Sequence, residues 1–234
     1  MDAKLKYLTY DVDFDCGFDI DKEKLVYAIN ECNQGLASFP SHIWSSIALK
    51  FSGAVIGEFF AASIANSCDA FRNTVEQGYP DVLPKYAEKA TEVELRHFPT
   101  GLELKGTCGN IPTGKLVKAG LPRVNSLSSI NWKAHHREVE NLLAFIWDFY
   151  LVKDDTYTPC ITAAFYCANL CEEDWGAISG LSGRSTKLSN MAKIGRDKMA
   201  AGLVCILDDE SVKNKYFKIL KINNKKTDNN EQTI

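Results

Sequence analysis

"NLLAFIWDFYLV" (residues 141–152) and "TPCITAAFYCANL" (residues 158–170) are nearly continuous apolar runs separated by a short polar spacer. An exposed hairpin would alternate polar and apolar residues. Runs this apolar instead read as central strands buried on both faces. Outward from them, "AGLVCILDD" (201–209) reads as a further strand. Helical periodicity covers residues 22–33 and 41–67, with Asp21 and Ser41 as N-caps, and a third helix is expected over 186–200. Strands mixed with helices make an α/β fold, a central mixed β-sheet flanked by helices. Residues 1–222 are read as one domain and 223–234, "NNKKTDNNEQTI", as a frayed tail with almost no apolar content.

Composition agrees with a folded unit. The chain has 234 residues, 45% hydrophobic and 24% charged, enough for one sizeable core. No apolar run is long enough for a membrane span, and the acidic first twenty residues do not look like a secretory leader, so a soluble, cytoplasmic protein is expected. Eight cysteines are scattered singly, several inside apolar runs, which favours buried reduced thiols over disulfides. Cys167 and Cys171 would share a face if helical, but no CxxC pair or histidine stands at zinc-ligand spacing.

Between the first helices and the apolar strands the period changes. "TEVELRHF" alternates, "PTG" is turn material and "LELKGT" alternates again, so residues 91–107 are expected to form a two-stranded hairpin. On its second strand Glu103 and Lys105 share one face. Upstream, Asp81 follows Pro80, and in the long helix Glu58 falls on the stripe of Ile47, Phe51, Val55, Ala62 and Ala65. A carboxylate on such a stripe either pairs with something or sits at its exposed edge.

These residue types suit phosphodiester hydrolysis. Magnesium takes a few carboxylate oxygens and leaves other positions to water and phosphate, and Asp81 and Glu103 can supply such oxygens. A lysine beside them can orient the attacking water and offset developing negative charge. Pro80-Asp81, a gap of 21 residues and then Glu103-Leu104-Lys105 resembles the PD-(D/E)XK nuclease signature, and a helical Glu58 before the Asp resembles its restriction-endonuclease version. The resemblance covers about residues 45–170. It implies a restriction-endonuclease-like fold in which Asp81 and Glu103 bind Mg2+, Lys105 assists the water and Glu58 completes the site. It further implies a type II restriction endonuclease cutting double-stranded DNA at a short sequence, working as a homodimer, with a cognate DNA methyltransferase in the same host.

The charge distribution points to the same partner. No acid lies between Glu103 and Glu138, while Lys105, Lys115, Lys118, Arg123, Lys133 and Arg137 all do. A second acid-free stretch, 176–196, carries Arg184, Lys187, Lys193 and Arg196. Two basic stretches in a chain of net charge -3 suggest a polyanion-facing surface. Residues 106–133 are expected to hold the DNA backbone, through Lys115, Lys118, Arg123 and Lys133. The second stretch is expected to read bases, through Arg184, Ser185, Lys187 and Asn190, with Lys193 nearby.

Other readings remain open. A DNA repair nickase or junction resolvase on the same core would nick at a lesion or branch. A DNA-binding module without catalysis would carry Asp81, Glu103 and Lys105 as a surface ion cluster. An enzyme acting on small phosphorylated molecules is a further option. "HHREVE" (135–140) offers His136 and Glu140 as metal ligands, and "GTCGNIPTGK" has the glycines but not the order of a phosphate loop.

Overall fold

The structure is a computed structural model and describes residues 4–76, 78–109, 132–134, 139–153, 156–180 and 187–221. The two apolar runs form the long strands β6 (Leu142–Lys153) and β7 (Thr156–Cys167), paired antiparallel at the centre of a sheet. On one side of them lie β10 (Leu203–Leu207) and β1 (Tyr7–Thr9), both antiparallel to their neighbours. On the other side β4 (Glu103–Cys108) runs parallel to β6, so the sheet is mixed, with order β1-β10-β7-β6-β4.

Both faces of this sheet are covered, which explains the continuous apolar runs. Alternate residues Leu143, Phe145, Trp147 and Phe149 meet α1 (Lys22–Ser38) and α3 (Leu49–Ser67), through Leu25, Ile29, Ile56, Phe60 and Ile64. Their neighbours Leu142, Ala144 and Ile146 face the other way, toward α5 (Lys193–Ala201) and α6 (Glu210–Leu220), through Met199, Val212 and Tyr216. On that second face lies a small sheet, β5 (Lys133–Ala134), β9 (Leu188–Met191) and β8 (Trp175–Ser179), whose Trp132, Ala134, Met191 and Trp175 are buried against it. The result is the expected α/β fold, a mixed central sheet flanked by helices. Among the described residues no helix is long and apolar enough to cross a membrane, and all eight cysteines are free.

Three expectations fail locally. The helix expected over 41–67 is two, α2 (Ser41–Ser46) and α3, because Ile47 and Ala48 are extended. Within α3, which is apolar nearly all round, Ser52, Ile56, Phe60 and Ile64 are buried while Phe51 is exposed, so Glu58 lies off the buried stripe. The first strand of the expected 91–107 hairpin is a helical turn, α4 (Glu92–Leu95), set by a capping box. The Thr91 hydroxyl accepts from the Glu94 N–H, and the Glu94 carboxylate accepts from the Thr91 N–H at 2.7 Å. The helix expected over 186–200 begins at Lys193, since Leu188–Met191 is strand β9. The expected tail at 223–234 lies outside the described residues.

Beside the start of β4 lies instead a small hairpin, β2 (Phe71–Arg72) with β3 (Val82–Leu83), followed by a 3-10 turn at Lys85–Lys89. Val82 and Leu102 exchange N–H···O bonds of 3.1 and 2.7 Å, tying β3 to the entrance of β4. Gly101 makes this approach possible. Its φ is +152°, and a Cβ there would stand 2.6 Å from the Val82 carbonyl oxygen.

Candidate active site

The Val82–Leu102 bridge places Asp81 beside the start of β4. The Glu103 N–H donates to Asn141 O, toward the neighbouring β6. By strand alternation Leu104 presents its N–H and carbonyl to the outer edge, where no strand among the described residues continues the ladder. There the Asp81 Oδ2 accepts the Leu104 N–H at 2.7 Å. A carboxylate thus takes the position of a missing strand partner.

Glu103 and Lys105 project from one face of β4, as alternation requires, and form an ion pair. Glu103 is 5% exposed, while Lys105 keeps part of its side chain in solvent. Asp81 is also partly exposed although protein surrounds most of it. Its carboxyl is pushed up to about 7. Burial is the main cause and the Glu103 charge the next. The Lys105 charge and the Leu104 N–H oppose them, and a hydrogen bond with Glu103 adds to the rise. Two carboxyls and one ammonium therefore meet at a strand edge, with the Glu103 charge close enough to help raise Asp81.

Such a corner suits a divalent cation. With both acids ionised, Lys105 balances only one of the two negative charges, and the Leu104 carbonyl leaves the strand on Asp81's side as a further neutral oxygen. Magnesium is satisfied by few protein oxygens, keeping water and substrate in its other positions. Among the described residues no group of three or more His, Cys, Asp and Glu is placed to hold a metal, so a cation here would rest on this pair.

Glu58 is not brought to the pair. It is exposed and ion-paired with Arg72 of β2. Moreover, α3 packs on the face of β4 that carries Leu104 and Cys108, opposite to Glu103 and Lys105. A residue missed in the sequence is Asn73, which binds the backbone on either side of Asp81. The clue was an asparagine two residues before an N–H it accepts, Val75, a common turn device.

The two basic stretches meet in the small sheet. Lys133 of β5 is the register partner of Asn190 of β9, and both are exposed. Lys187 and Lys193 are exposed as well, with Lys193 near Asp197 at 3.9 Å. The opposite side of this sheet is buried in the core group that includes Leu142 and Ala144, the register partners of Glu103 and Lys105. The exposed lysines and the acid pair thus share one side of the main sheet. Lys115, Lys118, Arg123, Arg137, His136, Arg184 and Ser185 lie outside the described residues. As for nucleophiles, burial pushes the thiols of Cys16, Cys32 and Cys205 up to about 12, far from a reactive thiolate.

No protein-family model, curated protein or solved structure significantly matches this chain. The geometry of the corner carries its reading unaided.

Proposed function

We propose that the protein is a magnesium-dependent nuclease that hydrolyses phosphodiester bonds of double-stranded DNA, with a restriction-endonuclease-like core and a type II restriction role. The observation that carries this reading is the meeting of Asp81, Glu103 and Lys105 at the outer edge of β4. Asp81 and Glu103 would hold the cation, which neutralises phosphate charge and acidifies a water. Lys105 would orient that water for attack on phosphorus and offset the charge that develops as the phosphorus–oxygen ester bond breaks. The exposed small sheet, with Lys133, Lys187, Asn190 and Lys193 on the same side, favours a polyanionic partner over a small phosphorylated molecule. Because Lys133 and Asn190 are neighbours, backbone holding and base reading would fall to one surface rather than to two separate segments. A two-fold homodimer would bring one such site to each strand of a palindromic target, and a cognate methyltransferase would protect the host.

Digestion of intact phage DNA in magnesium, followed by mapping of the ends, tests this. Wild-type protein should give discrete fragments, and Asp81→Ala or Glu103→Ala should lose on the order of a thousandfold or more in rate while remaining folded. Lys105→Arg should not restore what Lys105→Ala loses, since a planar guanidinium places its charge differently. Nicks at branches or mismatches alone would favour a repair nuclease. DNA retardation without cutting would leave a binding module, and normal cutting by either acid variant would reject the site.

A further inference from the structure

Asp81 belongs to a segment too short to hold itself in place. Strand β3 has two residues, and a two-stranded ribbon is at best marginal alone. Asn73, immediately after β2, supplies the missing constraints. Its backbone N–H donates to the Asp81 carbonyl at 2.9 Å. Its Nδ2 donates to the carbonyls of Pro80, at 3.0 Å, and Leu95, at 2.8 Å. Its Oδ1 accepts the Val75 N–H at 3.2 Å. The carbonyls of Pro80 and Asp81 are thus both bound by one residue. The Leu95 carbonyl closes the four-residue helix α4, where helix carbonyls lack partners within the helix.

The amide of Asn73 has little room to shift. A Cβ on Gly78 would stand 2.7 Å from both Nδ2 and Oδ1. One amide therefore ties β2, the Pro80–Asp81 turn and α4 into a single unit, and the Asp81 carboxylate emerges from that unit to meet Leu104 and Glu103.

We propose that Asn73 is the positioning residue for Asp81, setting where its carboxylate stands against the Leu104 N–H and the Glu103 carboxyl. The catalytic consequence rests on the nuclease reading; the positioning itself does not. A displaced Asp81 would hold a cation less well at unchanged chemistry, so Asn73 should act on magnesium demand before it acts on maximal rate.

The test follows the Leu104 amide by hydrogen exchange, because that N–H reports the Asp81 carboxylate directly, and in parallel the magnesium dependence of cutting. The variants are Asn73→Ala and the milder Gly78→Ala, which displaces the amide without deleting it, with Asp81→Ala as reference. Both should speed Leu104 exchange about tenfold toward the reference while leaving Ala163 and Ile206 of the central strands unchanged. Half-maximal cutting should need roughly tenfold more magnesium, with less than about a threefold loss at saturation.

A wild-type exchange rate at Leu104 in both variants overturns the positioning role, as does a rate that Asp81→Ala itself fails to change. Equal acceleration at Leu104, Ala163 and Ile206 also overturns it, since Asn73 would then stabilise the whole fold and not one carboxylate. If Leu104 responds as expected but wild-type protein neither cuts nor uses magnesium, the positioning role stands and the nuclease reading falls.

Discussion

Asp81 lies near Lys105 and Asp174 lies near Lys198, yet the two corners have opposite characters. Asp174, just before β8, is fully covered, although only by a shallow layer of protein. One of its oxygens accepts from Lys198 Nζ at 2.6 Å, the Cys171 N–H at 2.9 Å and the Cys171 thiol at 3.4 Å. Burial alone would push this carboxyl up, but Lys198 and the Cys171 donors hold it below its ordinary value. Asp81 is deeper yet still partly open, and a second carboxyl beside it helps to raise it instead. A covered acid whose charge one lysine and its own N–H and thiol donors offset at one oxygen is a structural ion pair. Two acids sharing one lysine at a strand edge leave one negative charge that the lysine does not balance.

Exchanging the treatment of the two lysines should produce the largest contrast. Lys198→Met leaves Asp174 covered without its cation, and the melting temperature should fall by several degrees, on the order of 5 °C, with the cutting rate per folded molecule unchanged within about twofold. Lys105→Met should remove cutting and also lower the melting temperature, since Glu103 is covered too, but here magnesium should restore the stability by replacing the lost positive charge. A stability loss at Lys105 that magnesium leaves unchanged, as it should at Lys198, would erase the distinction. The smallest effect is expected at Glu58. Its pair with Arg72 is exposed, so Glu58→Gln should shift stability by less than about 0.5 kcal/mol and leave the magnesium dependence of cutting unchanged. A marked rise in magnesium demand would bring Glu58 back into the site.

The sequence made the centre of the fold legible because its strands are covered on both faces and leave an unmistakable apolar run. It was equally informative about Glu103 and Lys105, whose shared face follows from strand period alone. It misled where short-range chemistry overrode the period. "TEVELRHF" alternates like a strand, but Thr91 and Glu94 satisfy each other's N–H groups and nucleate a turn of helix. Glu58 was misplaced because α3 is apolar nearly all round, so more than one stripe fits its sequence and spacing alone does not pick the buried one. Asn73 was out of reach for another reason: its partner Leu95 lies 22 residues on and becomes a neighbour only when the fold is formed. The joining of the two basic stretches through Lys133 and Asn190 is likewise a tertiary fact.

The most direct test of the acid pair as a cation site needs no DNA. Because the folded Asp81 carboxyl is raised toward about 7 from an unfolded value near 4, its contribution to stability is present in acid and is lost as pH rises through that window. Asp81→Asn keeps an acceptor for the Leu104 N–H without the charge. Urea unfolding of both proteins should be measured from pH 5 to pH 8, with magnesium or with sodium at matched ionic strength. Without magnesium the two should converge at pH 5, and at pH 8 the variant should be the more stable by roughly 2 to 3 kcal/mol. Magnesium should close that gap at pH 8 by stabilising the wild type alone. Parallel pH profiles, or equal responses of both proteins to magnesium, would contradict a cation held by Asp81 and Glu103.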